Sequence, residues 1–129
     1  MILVKDIMMK KVITISPFAT LREAMREMKR HQVKALVVEK RYDADAFGIL
    51  TYTNILKTIV AEEGDIDLIN VYDVCAKPAM VISKELEIKH AARLMVNTGL
   101  RRLLVTYTNE LEGIITLDDI VGSILDMTE

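Results

Sequence analysis

Apolar and polar positions follow two periods along this chain, and the same succession of periods occurs twice. Val12–Ser16 is a short β-rich run closed by Pro17. Leu21, Ala24, Met25 and Met28 then form an apolar stripe at helical spacing, opened by Thr20 and Glu23 three residues apart as a capping box. Ala35–Glu39 and Phe47–Leu50 read as two strands joined by the polar turn RYDAD. Thr51 opens a second helix whose inner face is predicted to be Ile55, Leu56, Ile59 and Val60. The second half repeats this order: a strand over Ala79–Ser83, then a helix lined by Ile88, Ala91, Ala92 and Met95 that Gly99 can end. Strands over Leu103–Val105 and Leu111–Ile115 turn at TNE, and a last helix carries Ile120, Val121, Ile124 and Leu125.

The two halves also align residue by residue, with one two-residue gap after Val38. Val4/Val71, Asp6/Asp73, Ile15/Ile82, Ser16/Ser83, Ala24/Ala91, Met28/Met95, Leu36/Leu103, Val38/Val105, Gly48/Gly113 and Thr51/Thr116 are identical pairs. A period this long is not a solenoid unit, so the chain reads as two copies of a small domain. The copies span residues 1–62 and 71–129, with 63–70 as linker. A copy of about 60 residues is marginal alone, so the halves are expected to share a core.

Composition adds limits. The chain is 51% apolar and 28% charged with few Gly and Pro, which fits a compact fold rather than disorder. No apolar run reaches membrane-span length, and the N-terminal residues carry no secretory h-region. The lone Cys75 rules out an internal disulfide and fits a reducing, cytoplasmic setting, where it reads as a small buried hydrophobe. The methionines read as core filler. Residues 1–41 hold ten Lys/Arg against four Asp/Glu, and the rest hold seven against fifteen. Arg22, Arg26, Lys29 and Arg30 read as a solvated helix face, and the acidic remainder argues against a nucleic-acid surface.

The repeated strand-to-helix corner is the strongest local signal: Gly48-Ile-Leu-Thr51-Tyr-Thr-Asn54 and Gly113-Ile-Ile-Thr116-Leu-Asp-Asp119. A hydroxyl residue opens a helix and a side-chain carbonyl follows three residues later. Such a corner can hold a phosphate at the helix start and a ribose diol on the acid, although the same spacing is a plain cap. Arg101 and Arg102, just ahead of an apolar strand, offer cations for a phosphate. No catalytic constellation and no metal-ligand spacing occur. His31 and His90 read as solvent-facing helix residues.

The twofold order of elements, with GIITLDDI and LRRLLV in one copy and GILTYTNI and VKALVV in the other, resembles a tandem pair of CBS domains, a Bateman module. That resemblance implies a mixed α/β (α+β) fold of two β-α-β-β-α repeats packed sheet to sheet with pseudo-twofold symmetry, commonly as a disc-like homodimer. It implies clefts for adenosine-type ligands such as AMP, ADP, ATP or S-adenosylmethionine. In the main cleft, Thr116 would serve phosphate and Asp119 ribose. Met8, Val12, Ile13 and Ile114 would form the adenine slot, Val33 and Lys34 would close it, and Arg101 and Arg102 would face phosphate. A weaker cleft would use Ile49, Thr51, Asn54 and Met80, with Asn54 in place of the acid and Ala35 in place of Arg102. The expected role is a stand-alone, non-enzymatic regulatory module acting on a protein partner. The alternative is a ligand-free dimer serving as a scaffold.

Overall fold

The computed structural model of the protein describes residues 1–126; the last three residues of the expected second copy lie outside the described ones. In chain order the elements are α1 (Val4–Ile7), β1 (Thr14–Ile15), α2 (Leu21–His31), β2 (Ala35–Val38), β3 (Gly48–Thr51), α3 (Tyr52–Leu56, continued by a π-helical turn over Lys57–Ala61), α4 (Val71–Val74), β4 (Val81–Ser83), α5 (Ile88–Thr98), β5 (Arg102–Tyr107), β6 (Glu110–Thr116) and α6 (Leu117–Asp126). The strands form two three-stranded sheets, β1-β2-β3 and β4-β5-β6. In each, the first strand pairs in parallel with the second, and the second antiparallel with the third.

The chain forms two compact units, and their borders cut across the repeats: residues 13–79 make one, while 1–12 and 80–126 make the other. Each copy's leading segment therefore folds with the body of the other copy. In the first unit, Val71 N–H donates to the Ala19 carbonyl at 2.8 Å, and Leu21 N–H donates to the Ile69 carbonyl at 3.0 Å. In the second, the equivalent bonds are Val4 N–H to the Leu86 carbonyl at 2.7 Å and Ile88 N–H to the Ile2 carbonyl at 3.0 Å. Helices α2 and α5 begin with amides that have no partner inside the helix, and the borrowed segments supply carbonyls for them. The apolar contribution is equally direct. Val71 is fully buried among Leu21, Ala24, Met28, Leu36, Leu50 and Ile55, and Val4 among Ala91, Met95, Leu103, Val105, Ile115 and Ile120. The expected shared core thus takes the form of two cores, each completed by a segment of the other copy.

The capping box opening α2 is present as read, with Thr20 Oγ1 accepting from Glu23 N–H at 3.2 Å. Gly99 ends α5 in the left-handed region at φ 75°. Its counterpart Gln32 adopts φ 54° at the end of α2, where a side chain costs more than glycine does. The β5–β6 hairpin closes through Thr108 and Asn109, both at positive φ, as the right-handed twist of a two-residue hairpin requires.

Several apolar assignments change. Ile55 is buried and Ile59 packs on the core, but Leu56 and Val60 are 60% and 69% exposed. Each follows an inward residue by one position, about 100° around the helix, which turns it off the core. The last helix behaves alike: Ile120 is buried while Val121, Ile124 and Leu125 are largely exposed. Among the described methionines, only Met28 and Met95 are fully in the core; Met1, Met9, Met25 and Met80 are exposed. The linker is more than a spacer. Its Ile66 and Ile69 pack on the first core, and the Ile66 carbonyl accepts from Arg22 N–H at 3.1 Å.

Candidate functional site

The two corners are built alike and wired differently. At the end of β6, Thr116 N–H donates to Asp119 Oδ2 at 2.9 Å, and Asp119 N–H donates to Thr116 Oγ1 at 3.2 Å. This is a reciprocal cap at the start of a ten-residue helix. The Thr116 hydroxyl acts as acceptor, so its own proton remains available. Asp119 Oδ1 takes no hydrogen bond among the described residues. Of the first three amides of α6, Leu117 N–H is already spent on the Arg101 carbonyl at 2.9 Å and Asp119 N–H on Thr116, which leaves that of Asp118.

Arg102 lies directly opposite Thr116 in the β5–β6 ladder. Opposed residues of an antiparallel pair project to the same side, with Cβ atoms about 5 Å apart. Arg102 is half-buried, Arg101 is exposed, and neither has an acidic partner among the described residues. An uncompensated guanidinium beside a hydroxyl is suited to an oxyanion.

The apolar side of this corner is set by a close backbone approach. Met9 and Ile114 exchange N–H···O bonds of 2.9 and 3.0 Å, which lays the segment around Met8 along β6. A Cβ on Gly113 would stand 2.6 Å from the Met9 carbonyl oxygen and 2.9 Å from Met8 Sδ, so no larger residue fits there. Ile49 and Ala76 make the same exchange in the other unit, both bonds 2.9 Å, with Cys75 Sγ beside Gly48 in the place of Met8. Burial pushes the Cys75 thiol above its usual range, in keeping with a small packed side chain.

At the other corner, Asn54 Oδ1 accepts from Thr51 N–H at 2.9 Å and also from the Thr51 hydroxyl at 3.0 Å. Ala35 stands opposite Thr51, in the place of Arg102.

Of the residues named from sequence for the main cleft, Met8, Val12, Arg101, Arg102, Ile114, Thr116 and Asp119 fall in the unit of 1–12 and 80–126; Ile13, Val33 and Lys34 belong to the other. Ile13 packs on its unit's core, Val33 is half-buried and Lys34 is exposed. For the weaker cleft, Ile49, Thr51 and Asn54 share a unit, while Met80 belongs with the Thr116 corner. The sequence reading missed Ala76 and Met9 as strand-like partners of Ile49 and Ile114; two isolated bridges leave no periodic signal.

Elsewhere, the basic face of α2 is paired in part. Arg22 pairs with Asp67, which raises the guanidinium and lowers the carboxyl from their usual ranges, and Glu27 holds Arg30 and His31. Among the described residues no His, Cys, Asp and Glu cluster could hold a metal ion, and no helix is long and apolar enough to cross a membrane.

The family model for the CBS domain matches residues 4–61 and again 71–126. The chain belongs to the CBS-domain family. Among relatives of this CBS pair, an uncharacterized protein of Methanopyrus kandleri is 29% identical over 119 residues. That match takes in 92% of this chain and 60% of the relative, so the chain spans less than two thirds of that protein. Among solved structures, the hexameric CBS-CP12 protein from bloom-forming cyanobacteria matches with a TM-score of 0.87 and 36% identity, covering 94% of this chain and 70% of that one. CBSX2 in complex with AMP matches with a TM-score of 0.80 and 22% identity over the whole of both chains, a likeness of fold.

Proposed function

We propose that this CBS pair is a regulatory sensor that binds an adenosine nucleotide at the Thr116–Asp119 corner and passes the bound state to a protein partner. The observation that carries the reading is the set of free valences there. Thr116 keeps a proton for a phosphate oxygen, Asp119 keeps an oxygen for a ribose diol, and Arg102 stands opposite without an acidic partner. Met8 and Ile114 offer an apolar flank for a purine. The AMP complex of CBSX2 supports the ligand class. One good cation favours AMP or ADP over a triphosphate.

Regulation follows if the nucleotide binds one conformation of the pair more tightly than another, since a ligand shifts an equilibrium only by that difference. We also place self-association in this reading. Leu56 of α3 and its repeat-equivalent Val121 of α6 both expose apolar surface, 60% and 43% respectively, so the same outward position is kept apolar twice.

Calorimetric titration with AMP, ADP, ATP and S-adenosylmethionine tests the ligand. Asp119→Asn keeps an oxygen for the Thr116 amide but loses the charge, so it is expected to weaken AMP at least tenfold while leaving the melting temperature within a few degrees. Absence of binding by all four compounds at millimolar concentration overturns the reading.

A further inference from the structure

The groove between α2 and α3 and the outer face of α6 carry opposite charge on otherwise apolar surfaces. Building on the self-association read above, we infer that this groove receives α6 of a second copy, so that unlike repeats meet across the contact. A hollow of about 380 Å³ is lined by Met25, Met28, Lys29, Tyr52, Ile55 and Leu56. A second, of about 330 Å³, shares Met25 and Lys29 with it and adds Arg22, Arg26 and Ile66. Among the described residues no carboxylate lines either hollow; Glu23 and Glu27 of α2 line a different one beside β1. Arg22 is held by Asp67, whereas Arg26 and Lys29 form no ion pair among the described residues. Tyr52, Leu56 and Val60 continue the apolar surface, with exposed Lys57 next to Leu56. A groove between two helices that is walled by methionines suits the ridge of a third helix.

Helix α6 has the complementary character. Val121, Ile124 and Leu125 are exposed along it. Asp118 precedes Val121 by three residues and Leu125 by seven, so acid and apolar side chains share one face. Asp126 ends the helix, and Leu117–Asp126 contains no Lys, Arg or His. Beside α6, a hollow of about 330 Å³ lined in part by Ile88, Ala92, Ile120 and Ile124 can take Leu56 in return; Lys89 at its rim is already paired with Glu87. Pairing like with like would instead set Lys29 and Lys57 against their own copies, and Asp118 and Asp126 against theirs. Like charges brought together on an apolar contact oppose association, which selects the unlike pairing.

Charge reversal on the full chain, read by light scattering over a dilution series, tests the pairing. Lys29→Glu with Lys57→Glu is expected to weaken association roughly tenfold, and so is Asp118→Lys with Asp126→Lys. All four changes in one chain restore opposite charges across the contact, so that protein should associate as the unaltered one does. All four positions are exposed, and far-ultraviolet circular dichroism checks that each variant keeps its fold. Under like-with-like pairing the four-change chain would gain nothing over either double variant. A four-change chain as dissociated as the double variants, or an associating chain that neither reversal weakens, would overturn the inference and leave self-association standing. A monomeric unaltered chain removes both.

Discussion

Arg102 and Thr116 occupy opposed places on β5 and β6, and the same two places on β2 and β3 are held by Ala35 and Thr51. One corner therefore pairs its hydroxyl with a guanidinium and the other with a methyl group. Removing the cation should separate phosphate recognition from nucleoside recognition. Arg102→Ala is expected to weaken AMP by about 1.5–3 kcal/mol, the usual size of a charge-assisted hydrogen bond. Adenosine, which lacks the phosphate, should bind the variant as before. Parallel titrations with the two ligands decide the matter, and equal losses for both would rule out a phosphate role for Arg102.

Val4 is fully buried, because the leading segment of the first copy completes the core around Leu103 and Ile115. Here Val4→Ala is expected to cost about 2 kcal/mol, as in other large-to-small core changes. Val71→Ala, the equivalent change in the other unit, should cost a similar amount. Urea unfolding monitored by circular dichroism measures both.

Asp45 holds the β2–β3 connection to the segment after α4. Its Oδ2 accepts from Arg41 Nε at 2.9 Å and from Lys77 Nζ at 2.7 Å, and Arg41 and Lys77 both lie over the Tyr72 ring. Hydrogen bonds from Arg41 and then Lys77 hold the carboxyl far below the usual carboxylate range. A depressed folded pKa stabilises above the unfolded value of about 4, and that contribution is lost as pH falls toward the folded one. Asp45→Asn should therefore lower the melting temperature by a constant amount between pH 5 and 8. The gap from the unaltered protein should narrow only below about pH 4. Melts across that range provide the check, and a gap that widens in acid would contradict the assignment.

Leu56 and Val121 give the oligomer prediction. Light scattering at micromolar concentration should find more than one chain per particle. Leu56→Glu combined with Val121→Glu should give monomers with an unchanged far-ultraviolet spectrum, since neither side chain lies in a core. A monomeric unaltered chain would end this part of the proposal.

Much of this was legible in the residues. Leu21, Ala24 and Met28 mark the buried face of α2 because a helix repeats every 3.6 residues, and Thr20 with Glu23 marks its start through purely local bonds. The contrast between Arg102 and Ala35 came from alignment alone, and strand register bears it out. What escaped is non-local. The bonds from Val71 to Ala19 and from Val4 to Leu86 join segments far apart in sequence, and α1 and α4 are too short to show a period. Leu56 and Val60 were assigned inward because a wide apolar stripe does not say which of its edges meets solvent.

The reciprocal loan of leading segments bears on how such a protein can evolve. Severing the chain near residue 63 would give two fragments, each stripped of the residues that close its own hydrophobic body and holding a strip suited to the other. A lone copy could not be lifted out, duplicated again or transplanted without first reacquiring that missing strip. Selection would then hand the two copies down together, leaving drift to act on single atoms inside them, such as the one that distinguishes Asn54 from Asp119.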